Sequence, residues 1–84
     1  MRIALRLFAS LTERLPPEAR ARHRVELDVA EGAPVLEVLR RPGIPEAQCF
    51  LVLVDGAWVA PQDRATRVLS EDQALAIWPP VAGG

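Results

Sequence analysis

Few side chains in this 84-residue chain are equipped for chemistry. His23 and Cys49 are the sole members of their types. A metal site needs clustered ligands, so metal binding is not expected. Cys49 opens the apolar run at residues 49–54, which predicts a buried, inert thiol. His23 stands in the basic stretch at residues 20–24, where a solvated loop is expected rather than a catalytic base. Ser10 and Ser70 fall in no nucleophile motif, and no Gly-rich phosphate loop is present. Glu71 and Asp72 are neighbours in a turn, a poor arrangement for paired acid and base. Any chemistry this chain joins should run in another protein's active site.

The remaining candidate is the main chain itself, at the end of Pro79-Pro80-Val81-Ala82-Gly83-Gly84. The prolines cannot donate to a strand ladder and they restrict the residue before them, so pairing should stop near Trp78 and the chain should leave in a stiff, extended form. Four residues beyond Pro80 reach about 13 to 14 Å. Gly83 and Gly84 carry no Cβ, so they fit a narrow channel and adopt backbone angles closed to other residues. That combination describes a substrate, with the carboxylate of Gly84 as its reactive group. A frayed, inert terminus is the plain alternative.

The elements that position this tail follow from hydrophobic periodicity. Residues 2–8 alternate as a half-buried strand, with Ile3, Leu5 and Leu7 on one face and Arg2, Ala4, Arg6 and Phe8 on the other. Ser10-Leu11-Thr12-Glu13 has capping-box spacing and predicts a short helix that Pro16-Pro17 stops; residues 18–22 read as a solvated connection. A second strand at residues 24–29 faces Val25, Leu27 and Val29 inward. Pro34 suits the first turn of a helix with Val35, Val38 and Leu39 on one face, ended by Pro42-Gly43. The run at residues 49–54, apolar on both faces, predicts a strand covered on both sides or meeting a partner. Asp55-Gly56 predicts a tight turn into a short strand around Trp58-Val59, and Val68-Leu69 a buried turn. The last strand, residues 74–78, turns Leu75 and Ile77 inward. The expected fold class is α+β, a mixed sheet of about five strands packed on one main helix. One domain spans residues 1–84, with 79–84 as a protruding C-terminal tail.

Phe8, Trp58 and Trp78 all fall on outward positions, in a chain with only two Phe and two Trp. Large aromatics exposed together mark a protein interface, and these three are the candidate partner-binding residues. If the last strand lies beside the first, Phe8 and Trp78 share one face at the exit of the tail. The formal net charge of -1 predicts no attraction to nucleic acid or to anionic membranes. Arginines at positions 2 and 6 break the N-terminal run too early for a signal peptide, and a cytoplasmic location is expected. All ten basic residues are arginine; a G- and C-rich genome is the favoured explanation, and a chain that cannot form isopeptide bonds to copies of itself is the functional alternative.

The segment Ala76-Ile77-Trp78-Pro79-Pro80-Val81-Ala82-Gly83-Gly84 resembles the C-terminus of the MoaD branch of the MoaD/ThiS family, whose members are ubiquitin-like β-grasp sulfur carriers. The similarity extends to Leu7-Phe8-Ala9 before a short helix with Glu13, to Val54-Asp55-Gly56 before a hairpin, and to Leu69 ahead of the last strand. It departs in the short segment Arg41-Pro42-Gly43-Ile44-Pro45, in Glu71-Asp72 where Gly-Asp is usual, and in Asp55 where Asn is common. The resemblance implies that Gly84 is adenylated by a ubiquitin-activating-type adenylyltransferase, which uses ATP, and is converted to a thiocarboxylate by a sulfur donor protein. It further implies a place as the small subunit of molybdopterin synthase, with the large subunit as partner and owner of the catalytic side chains. No permanently bound cofactor is expected. Related carriers feed thiazole, thiolated nucleosides or cysteine, and a ubiquitin-like protein modifier is the alternative from another class. By position, Phe8, Trp58 and Trp78 match residues that dock this family on its partners.

Overall fold

The alternating stretch at the N-terminus forms β1, Arg2–Leu7, and its register fixes the rest of the sheet. β2, Arg24–Asp28, pairs with it antiparallel, from Arg2 opposite Asp28 to Arg6 opposite Arg24. On the other side β5, Ala74–Trp78, runs parallel to β1, from Ala4 beside Ala74 to Leu7 beside Ile77. β3, Leu51–Val54, pairs antiparallel with β5, and β4, Ala57–Trp58, closes the sheet in the order β2-β1-β5-β3-β4. The computed structural model describes residues 1–81.

Period-two alternation delivers Ile3, Leu5, Leu7, Val52, Val54, Leu75 and Ile77 to one face, where all are buried. The helix α1, Val35–Arg40, adds Val35, Val38 and Leu39 to the same core. Pro34 sits one position earlier than its helical propensity predicts, as the extended residue before the first turn, and provides no side-chain cap. Other groups satisfy the first donors of the helix: the Val35 N–H donates to Arg67 O at 2.8 Å and the Leu36 N–H to Arg64 O at 2.9 Å. The loop between β4 and β5 therefore serves as the cap of α1.

The expected capping box at Ser10–Glu13 does not form. Phe8 precedes the turn without a side-chain cap, and residues Ala9–Arg14 wind as a 3-10 helix that takes in Ser10. Thr12 Oγ1 donates to Leu7 O at 3.4 Å. The segment expected as a solvated connection contains a second 3-10 helix, Pro17–Arg22, anchored by buried Ala19. Arg20 braces it, with Nε donating to Leu15 O and Nη2 to Glu13 O. Of the Val68-Leu69 pair only Leu69 is buried, while Val68 is exposed and forms an isolated bridge with Pro34.

Asp55 and Gly56 both take positive φ, 48° and 85°, as a two-residue hairpin requires. Asp55 also ties the hairpin to β5: its N–H donates to Ala74 O, and its Oδ1 accepts from the Ala74 N–H at 2.8 Å. Asp55→Ala removes that acceptor and leaves a Cβ residue in the left-handed region without a compensating side chain. A loss of about 1 to 3 kcal/mol in denaturant unfolding is expected, with Asp55→Asn losing much less because it keeps the acceptor and tolerates the conformation.

Candidate functional site

The face of the sheet opposite the core carries the candidate site. Phe8 follows β1 in extended conformation, φ -124° and ψ 164°, so the alternation continues one residue past the strand and its ring joins the outer face. Its N–H donates to Ile77 O at 3.2 Å. Because Leu7 lies beside Ile77 in the parallel pair, the next residues out are Phe8 and Trp78. Their rings stack with centroids 4.2 Å apart and planes 3° from parallel. An antiparallel pairing would have sent these two aromatics to opposite ends.

His23 completes the stack and corrects the expectation of a solvated loop. It ends the second 3-10 helix in the left-handed conformation, φ 54°, and its ring lies 5.3 Å from that of Phe8. Phe8 is thereby held between His23 on the β2 side and Trp78 on the β5 side. Nδ1 of His23 is 3.3 Å from both Leu7 O and Thr12 Oγ1, which fixes the ring's orientation. The Arg6 guanidinium carbon lies 5.1 Å from the Phe8 centroid, a cation–π distance. Arg6 also faces Arg24 directly across the β1–β2 pair, and Arg24 in turn pairs with Glu26, its Nε donating to Oε1 at 3.2 Å.

Trp58 lies on the same outer face but two strands from Trp78, so the structure does not stack it with the other two. Leu51, beside Trp78, and Leu53, beside both Ala76 and Trp58, fill the gap. Both leucines are half-buried and make the apolar band continuous. The two-faced apolarity of residues 49–54 was the sequence signal for them. Phe50 is the aromatic that alternation missed: it is 66% exposed, more than the 63% of Trp58, and its N–H donates to Trp78 O. β3 begins one residue after it, so strand burial does not reach it.

Beyond the sheet, Pro79 is buried, so the chain becomes exposed only from Pro80, and Val81 is fully outside the core. Ala9 and Ser10 flank Trp78, Pro79, Pro80 and Val81 in a shallow groove at the root of the tail. Ala82, Gly83 and Gly84 lie outside the described residues. Cys49 is buried, with Sγ donating to Pro45 O at 3.8 Å. Burial pushes its thiol above the usual value, against the opposing pull of Arg64, which makes it a poor nucleophile. Among the described residues no three His, Cys, Asp or Glu side chains cluster as metal ligands would, and no helix is long and apolar enough to cross a membrane.

A family model described as the ThiS family matches residues 5–84, from the middle of β1 through the Gly-Gly pair. The chain belongs to the ThiS family. No curated protein sequence matches it. Among solved structures, SAMP1 from Haloferax volcanii is 22% identical, with all of both chains covered and a TM-score of 0.69. The HVO 2177 protein of the same organism is 27% identical over 100% of this chain and 87% of its own, with a TM-score of 0.73. A candidate molybdopterin converting factor, subunit 1, from Pyrococcus furiosus is 17% identical over 96% of this chain and 99% of its own, with a TM-score of 0.69. The fold is the ubiquitin-like β-grasp, and the strand order around the parallel β1–β5 pair is how this ThiS-family chain builds it. Small carriers of the ThiS and MoaD type are generally non-catalytic.

Proposed function

We propose that this ThiS-family protein carries sulfur on the carboxyl group of Gly84 and supplies it to molybdopterin synthesis as the small subunit of molybdopterin synthase. The carrying observation is the Phe8–Trp78 stack at the root of a tail that ends in Gly83-Gly84. The stack offers an apolar surface to grip, and the sequence of the tail ends in the carboxyl group of Gly84. A carboxylate is unreactive at neutral pH because it is ionised, with a reference pKa of about 3.5. A ubiquitin-activating-type adenylyltransferase would transfer AMP from ATP to a Gly84 oxygen, releasing pyrophosphate. A persulfide on the sulfur donor protein would then attack the acyl carbon and expel AMP, and a thiol would reduce the resulting acyl disulfide to the thiocarboxylate. The catalytic side chains for donation to the pterin precursor belong to the large subunit, while Phe8, Trp58 and Trp78 hold this chain in place. The Pro79-Pro80 pair ahead of the tail and the long connection between β1 and β2 support that choice of pathway over thiazole, thiolated nucleosides or cysteine.

The test is the intact mass. Incubation with the cognate adenylyltransferase, ATP and a persulfide donor is expected to exchange one C-terminal oxygen for sulfur. An unchanged mass in the presence of a demonstrably active enzyme refutes the carrier. The same acyl-adenylate would also accept a lysine amine, so protein modification is the second reading, and the absence of lysine from this chain bars chains of itself but not attachment to others. Covalent adducts that survive denaturant and thiol reductant on a gel would favour it.

A further inference from the structure

Arg64 follows the 3-10 helix Pro61–Asp63 and is 4% exposed, the sole buried charged residue among those described. Its Nε and Nη2 have no hydrogen-bond partner, and it forms no ion pair among the described residues. A guanidinium stays charged at any pH a folded protein meets. A buried charge left without a partner is strongly destabilising, whereas its replacement by an apolar group of similar volume is often neutral or better. The free chain therefore carries a deficit that the core does not require. Two cavities meet at Arg64. One runs over α1 and includes Glu46 and Cys49; the other opens among Phe50, Leu51, Trp58 and Pro61. The second is continuous with the apolar band of the outer face through Leu51 and Trp58. Glu46 borders both cavities and is exposed, yet does not pair with the guanidinium.

We propose that Arg64 is the receptor for a carboxylate, brought by an acidic side chain of the protein that docks on the Phe8–Trp78–Trp58 face. The Asp or Glu of that partner enters beside Phe50 and Trp58 and is held by the guanidinium. The two exposed aromatics close over the pair as the interface forms and exclude water, which strengthens the attraction. A guanidinium suits this task because its planar fork matches a carboxylate with two parallel donors. The docking reading supplies only the source of the carboxylate; the unpaired charge stands without it.

The free chain gives the first test. Arg64→Met is expected to raise Tm by about 4 to 8 °C, because it removes the unpaired charge and keeps the volume. Sodium acetate, as a carboxylate probe, is expected to raise the Tm of the wild type above that in sodium chloride of equal ionic strength and to leave Arg64→Met unmoved. Against the cognate adenylyltransferase, Arg64→Met should weaken binding at least about thirtyfold. A lower Tm for Arg64→Met, with or without a matching loss in Glu46→Gln, means that the guanidinium is already paired in the free chain and overturns the proposal. So does wild-type affinity of Arg64→Met for a partner that Trp78→Ala fails to bind. Should Trp78→Ala bind as tightly as wild type, the docking face is misplaced, and the stability and acetate results still decide whether Arg64 receives a carboxylate.

Discussion

Deletion of Gly84 is expected to abolish sulfur transfer while leaving Tm within about 2 °C of wild type. The truncated chain still ends in a glycine carboxylate, so the reacting group is chemically unchanged and only its position differs. One residue shortens the reach by about 3.3 to 3.6 Å. A misplacement of about 1 Å at a reacting centre already costs roughly a hundredfold, so a full residue should remove activity beyond detection. Stability should not follow, because Pro80 and Val81 are exposed and the last buried residue of the chain among those described is Pro79. Gly84→Ala is the informative companion: it keeps the length and adds a Cβ, so a loss there would show that the partner's channel is narrow, independently of reach. The two readouts are intact mass after incubation with the activating enzyme and thermal unfolding. Sulfuration of the truncated chain at the wild-type rate would show that the reactive carbonyl is not at Gly84.

How much of this architecture is legible in the sequence depends on whether a contact is local. The inward rows Ile3, Leu5, Leu7 and Leu75, Ile77 are local properties of alternation, and all five are buried as that alternation predicts. The outward placement of Phe8, Trp58 and Trp78 rests on the same periodicity. The parallel pairing of β1 with β5 joins segments some seventy residues apart, and periodicity carries no information about it. Phe8 and Trp78 share a face at the exit of the tail only if these two strands are neighbours, and the observed stack meets that condition. His23 escaped for a similar reason. Its charge-rich neighbours are a local signal for solvent, but the left-handed turn that ends the second 3-10 helix folds its ring back onto Phe8. The capping box failed because the chain leaves β1 through Phe8 and then through Ala9 at φ 52°, which places Ser10 inside the turn rather than before it. The burial of Arg64 is not legible in the sequence, because a charged residue beside Asp63 carries no local signal for it. Burial there arises because α1 and the β4–β5 loop lock together through the Val35 and Leu36 amides.

Docking should depend most on the stacked pair. Trp78→Ala removes a half-buried ring that spans the stack and the root of the tail, and is expected to weaken binding to the large subunit by about 2 kcal/mol or more, a hot-spot loss. Phe8→Ala should cost a comparable amount, with a larger fall in Tm, because Phe8 supports both Trp78 and His23. The two losses should not add. Each single change leaves the other ring without its neighbour, so the double mutant is expected to fall short of the sum by about 0.5 to 1.5 kcal/mol, the value of a stacked aromatic pair. Trp58→Ala is the contrast. It is largely exposed and separated from Trp78 by Leu51 and Leu53, so it should leave Tm nearly unchanged and add independently to either partner. Calorimetric titration of the three single and three double variants separates these cases. Equal affinity of wild type, Phe8→Ala and Trp78→Ala would place the interface elsewhere. Strict additivity would mean that the stack serves the fold of the free chain and the partner reads the two rings separately.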